Sequence, residues 1–238
     1  MYMFGFSPLF WALMIPSIIL GFIAQGMVQS KFKKFSKVST LRGLTGAKAA
    51  RQILDSYGLY EVQIEEARGG QLSDHYDPRQ RVLRLSPEVG RMSSVAAVGV
   101  AAHEAGHAVQ HAQGYFPLQI RSAMVPAASF GSTLAPWIII AGFVLQFLLG
   151  SLGIAIAWLG VLLFGMAVLF TLITLPVEFD ASARAKKLLY QYNIVDRQEL
   201  NGVSSVLNAA ALTYLAAALA AVSQLVYYVL ILTGASRD

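Results

Sequence analysis

Four stretches of this 238-residue chain contain no Asp, Glu, Lys, Arg or His. They run from Met3 to about Val28, about Ala127 to Leu149, about Leu152 to Leu175, and about Val206 to Leu232. A helix crosses hydrocarbon with roughly 20 apolar residues, and backbone in lipid must satisfy its own hydrogen bonds. Each stretch is therefore expected to be a membrane-spanning helix. Pro8 and Pro16 predict a kinked or late-starting first helix. No basic residue precedes it, so it reads as an uncleaved anchor. Only Gly150-Ser151 separates the second and third stretches, which predicts a tight helical hairpin.

Charge placement orients these spans. Lys31, Lys33, Lys34, Lys37, Arg42, Lys48 and Arg51 all precede the first acid, Asp55. Such clusters stay cytoplasmic. The expected layout is an anchor (1–30), a cytoplasmic domain (31–126), a transmembrane hairpin (127–175), a cytoplasmic helix (176–205), and a fourth span with a short external tail (206–238). Arg237 is then the one external residue among the 18 Lys and Arg. The net charge of +5 belongs to these flanks, so a nucleic-acid partner is not expected. Residues 93–112 are a rival fifth span. Their apolar content is mostly Ala, Val and Gly, and a fifth span would carry Arg184, Lys186, Lys187 and Arg197 outside, against the charge rule.

The chain has no Cys, which excludes disulfides, thiol catalysis and Cys-ligated metal. It has the pentapeptide His103-Glu104-Ala105-Gly106-His107. On a helix, i and i+4 share a face, so both imidazoles can converge on one zinc ion, with Glu104 beside it as a general base. Catalytic zinc usually takes three protein ligands plus water. His111 is eight residues from His103, about 12 Å along a helix axis, too far to share an ion on an unbroken helix. It is expected to support or pack. Glu178, after the third stretch, is the expected third ligand, on a helix opened by Pro176. Asp180 is expected to orient a ligand histidine.

The polar segment between the first two spans has a readable order. Thr45 caps a helix from Gly46 to Tyr57, closed by Gly58. Glu61–Ala67 alternates like a strand, Gly69-Gly70 is a turn, and Asp74–Pro78 reads as a polar loop. Arg81–Ser86 reads as a second strand, positioned to pair with an extended substrate. Ser86-Pro87-Glu88 starts a helix. Ser93 or Ser94 caps the motif helix, and Gly114 ends it.

The blocks GQLSDHYDPRQRVLRLSPEV, AAHEAGHAVQHAQGY, LPVEFDASARAKKLL and NAAALTYLAAAL, in that order, closely resemble the YugP-like neutral zinc metallopeptidases of bacterial membranes. The resemblance covers nearly the whole chain. It implies a multi-pass plasma-membrane zinc peptidase, with His103 and His107 as ligands and Glu104 as base. More distantly the plan resembles the gluzincin membrane peptidases, whose third ligand is a Glu on a later helix, a role that Glu178 matches. That group typically carries an Asp four residues after this Glu, where this chain has Ser182.

The expected fold is thus mainly α: four transmembrane helices and a small α+β zincin-like domain on the cytoplasmic side. The expected activity is hydrolysis of a polypeptide substrate with one Zn²⁺ per chain. The tetrahedral oxyanion needs another donor; His75 and Tyr76 are candidates, and Tyr214 is a weaker one. A non-catalytic metal-binding adaptor is the rival reading. The absence of ionisable residues from the four stretches argues against a transporter.

Overall fold

The computed structural model describes residues 7–68 and 73–235. The Gly69-Gly70 turn, the residues before Ser7 and Arg237 lie outside the described residues. The elements are α1 (Pro8–Phe35), α2 (Gly46–Ser56), β1 (Gln63–Glu66), β2 (His75–Asp77), β3 (Val82–Leu85), α3 (Pro87–Gly90), α4 (Val95–Ala112), α5 (Phe116–Leu149), α6 (Ser151–Gln191) and α7 (Arg197–Ala235). The protein is mainly helical. Among the described residues, α1, α5, α6 and α7 are long and apolar enough to cross a membrane. The motif helix α4, the rival fifth span, is not in that set.

Two compact units share the chain. The first draws on Met1–Ile23, Ile120–Leu175 and Thr213–Asp238. Its core includes Ile139, Phe143, Ala157, Val161, Phe164, Tyr227 and Leu232. The α5–α6 hairpin turns at Gly150, whose φ of 57° suits glycine. Its arms pack backbone to backbone: a Cβ on Gly142 would lie 2.4 Å from the Ala157 nitrogen. Small residues allow such approach between spans.

Pro176 does not open a helix. It lies inside α6, which continues through it for 41 residues. Proline removes one backbone donor, and a long apolar helix absorbs that loss where unwinding would expose several more groups.

The second unit comprises Ala24–Gln119 and Pro176–Leu212. Thr45 and Ser94 cap α2 and α4, their side-chain oxygens accepting from the backbone N–H of Lys48 and Ala97. The three strands lie in the order β1-β3-β2. β1 runs parallel to β3 and β2 antiparallel to it, pairing His75 with Arg84 and Asp77 with Val82.

Two strand expectations need correction. Asp74–Pro78 is not a loop, because His75–Asp77 forms β2. Asp77 disfavours a strand and Pro78 ends it, but Tyr76 favours one, and pairing with β3 decides the outcome. β3 is the central strand, so both its edges are taken and it cannot pair with a substrate. The core beneath the sheet gathers Ile53, Leu54, Leu83, Leu85, Val98, Ala102, Ala105 and Val109 with Leu188 and Leu189 of α6.

Candidate metal centre

α4 supplies two imidazoles and α6 one carboxylate. His103 and His107, one turn apart, stand with ring centroids 4.8 Å apart and planes at 83°. Glu178 Oε2 lies 3.1 Å from His103 Nε2 and 3.5 Å from His107 Nε2. One potential ligand atom from each of the three residues lies within 4.8 Å of the others, so the trio could hold a metal ion. Glu178 is only 2% exposed.

The approach of α6 depends on small residues. A Cβ on Gly106 would stand 2.8 Å from the Ala181 carbonyl oxygen. Glu178, Ala181, Ser182 and Ala185 recur at i, i+3, i+4 and i+7 on α6, and all four are buried.

The donor set fits zinc. Tetrahedral ligands at about 2.0–2.1 Å from an ion stand roughly 3.3 Å from one another, and the two Nε2–Oε2 separations bracket that value. A hydrogen bond accounts for the His103–Glu178 contact, since Nε2 can donate to the carboxylate while Nδ1 accepts from the Ser182 hydroxyl; His107 differs. His107 Nδ1 is 2.9 Å from Gln110 Oε1, and His103 Nδ1 is 3.1 Å from Ser182 Oγ. With Nδ1 of His107 donating to the amide oxygen, its Nε2 lone pair faces an acceptor carboxylate. A proton or a cation must stand between them. Burial alone would lower the pKa of His107, but the Glu178 hydrogen bond and the charges of Glu104 and Glu178 outweigh it and raise the pKa. The pocket therefore favours positive charge at this point.

Glu104 is half-buried beside the two imidazoles. Burial pushes its carboxyl pKa up, and the neighbouring His103 and His107 offset only part of that. A carboxylate whose pKa is raised is a stronger proton acceptor than an ordinary one.

The remaining expected residues lie outside this trio. Asp180 touches neither imidazole. Its Oδ2 accepts from Gln110 Nε2 at 2.8 Å and pairs with Arg184. His111 lies one turn beyond His107, its Nδ1 2.9 Å from the Tyr76 hydroxyl. Burial pushes the Tyr76 pKa up to about 12, so the hydroxyl keeps its proton. His75 is exposed, and its Nδ1 faces the Ser73 carbonyl at 2.8 Å. Tyr214 lies on α7 in the other unit. Sequence reasoning did not single out Gln110. The signal for it was a polar residue at i+3 from His107, among the buried Ala108 and Val109. Ser182 was visible only as a gap where an Asp was expected.

Residues 10–233 match the family described as "Putative neutral zinc metallopeptidase". The chain belongs to this family. It is also 48% identical over 223 residues to the "Putative membrane protease YugP" of Bacillus subtilis (strain 168), covering 94% of this chain and 96% of that one. No solved structure matches it. Family membership implies zinc, and the apolar helices with the membrane-protease relative make this a multi-pass membrane protein.

Proposed function

We propose that the protein is a membrane-bound zinc endopeptidase. The convergence of His103 Nε2, His107 Nε2 and Glu178 Oε2 beside Glu104 carries this reading. His103, His107 and Glu178 hold the metal. Bound there, zinc supplies Lewis acidity and brings the pKa of water to about 7. Glu104 takes the proton of the attacking water and passes it to the leaving amine. The Tyr76 hydroxyl, set against α4 at His111, is a better oxyanion donor than the exposed His75. Substrate backbone pairs with β2, which has a strand partner on one side only among the described residues.

Charge placement supports a cytoplasmic site, with residues 31–126 and 176–205 on the inner face of a bacterial plasma membrane. A reporter fused after Arg237 should then read as external, and a cytoplasmic reading would overturn this orientation.

The activity is tested by metal content and proteolysis of an unfolded protein, comparing wild type with Glu104→Gln in detergent. Both should bind about one zinc, and only wild type should cleave. Cleavage by the variant would remove Glu104 from its role. Metal binding without cleavage by either protein would favour the adaptor reading.

A further inference from the structure

Gln110 is fully buried on α4, three residues after His107. Its amide makes three hydrogen bonds. Nε2 donates to the Val177 carbonyl at 2.8 Å and to Asp180 Oδ2 at 2.8 Å, and Oε1 lies 2.9 Å from His107 Nδ1. These partners leave one orientation for the amide. A backbone carbonyl and a carboxylate only accept, so the NH₂ group must face them. Reversing the amide would set its oxygen against two acceptors with no proton between them. The oxygen therefore faces His107, and Nδ1 of that ring must carry the hydrogen. The neutral ring then has one lone pair left, on Nε2, the atom that faces Glu178.

We propose that Gln110 is a positioning residue that locks His107 in the Nδ1–H tautomer and so presents Nε2 to the metal. The inference rests on His107 being a metal ligand, as proposed above. The lock is anchored at both ends. Val177 and Asp180 flank Glu178 on α6, so the same amide that orients one ligand also ties α4 to the segment supplying another. Asp180 is held in turn by Arg184, which also bonds Gln113 and lies with its guanidinium carbon 5.6 Å from the Tyr115 ring centre. The carboxylate thus acts on His107 through an amide rather than by contact. His103 is treated differently, its Nδ1 meeting a hydroxyl from Ser182.

Partners that orient a ligating histidine typically contribute about 10–100-fold in metal affinity. The test uses the full chain in detergent, with zinc retention measured by chelator competition. The variants are Gln110→Met, which fills the space without hydrogen bonds, and His107→Ala. Histidine-labelled nitrogen NMR of the zinc-loaded wild type reads the tautomer directly, even if Gln110→Met fails to fold. His107→Ala should lose zinc. Gln110→Met should hold zinc about 10–100-fold more weakly, and its melting temperature reports whether the fold is kept. The wild-type spectrum should show His107 protonated at Nδ1 and metallated at Nε2. If His107→Ala loses zinc while folded Gln110→Met retains it as wild type does, the positioning role is refuted and the ligand assignment stands. Metallation of His107 at Nδ1 would refute the positioning role equally. If His107→Ala retains zinc, the ligand assignment fails and the inference falls with it.

Discussion

Replacing Gly106 with Ala probes how far the metal centre depends on the approach of α6 to α4. The added Cβ would stand 2.8 Å from the Ala181 oxygen, where ordinary contact begins at 3.4 Å, so the pair is about 0.6 Å too close. The obstacle is helix backbone and cannot rotate away. Ala favours a helix interior over Gly by about 1 kcal/mol, and overpacking costs about 1–3 kcal/mol. The net loss of about 0–2 kcal/mol leaves the protein folded. The proposed ligands suffer more. Gly106 precedes His107, and Ala181 lies three residues after Glu178. Metal–ligand distances tolerate about 0.2 Å, and a 1 Å displacement near chemistry costs about 100-fold. A shift of roughly half that size predicts about a tenfold loss in zinc affinity and in kcat/KM. Chelator competition, proteolysis and a thermal melt measure the three quantities. Gly99→Ala is the comparison, because its Cβ meets a Val203 methyl at 3.1 Å, an overlap about half as large and with a side chain rather than backbone. If Gly106→Ala binds zinc like wild type, or Gly99→Ala loses as much, the close approach does not set the site.

Four further variants test other contacts. Glu178→Ala should release metal while the chain stays inserted, and His111→Ala should keep most of it; equal losses for His111→Ala and His107→Ala would put His111 in the ligand set. Asp77→Ala should destabilise the second unit by about 1 kcal/mol, because Asp77 Oδ1 accepts from the Arg79 and Gln80 amides. Burial raises the Asp77 pKa, but those amides and Arg84 lower it further, to below its ordinary 3.8. A depressed carboxyl stabilises the fold above its unfolded pKa and loses that effect as pH falls through the folded value. The gap between wild type and variant should therefore begin to narrow near about pH 4 and shrink further as pH falls, and a gap that did not narrow on further acidification would disprove the assignment. Glu199→Ala should cost about 1–3 kcal/mol by chemical denaturation, since it strands the Leu41 amide at 2.6 Å and the Asp196 amide at 2.8 Å; an unchanged midpoint would count against it.

The spans were legible because lipid leaves an apolar run one structure, and the caps because Thr45 and Ser94 act on amides three residues away. Local rules failed where a partner decided. His75–Asp77 is a strand because β3 pairs with it. Pro176 sits mid-helix because the apolar helix around it holds. Its fixed φ and missing donor, taken alone, point to a helix start and leave that support out of the balance.

The orienting residues were hidden for a geometric reason. A helix turns about 100° per residue, so the imidazoles at 103 and 107 share a face whatever their partner. Which α6 side chains meet them depends on a contact between residues 67 to 79 positions apart. On α6, Ser182 is four residues from Glu178 and faces the same way, while Asp180 is turned by about 200°. An acid at 182 would have met His103 directly, but the acid at 180 reaches His107 only through Gln110. Charge gives this arrangement a physical logic. A dication would be balanced by Glu104 and Glu178, and a third carboxylate against an imidazole would leave the pocket negative. The chain instead sets a hydroxyl and an amide against the two rings and neutralises Asp180 with Arg184, away from the proposed metal position.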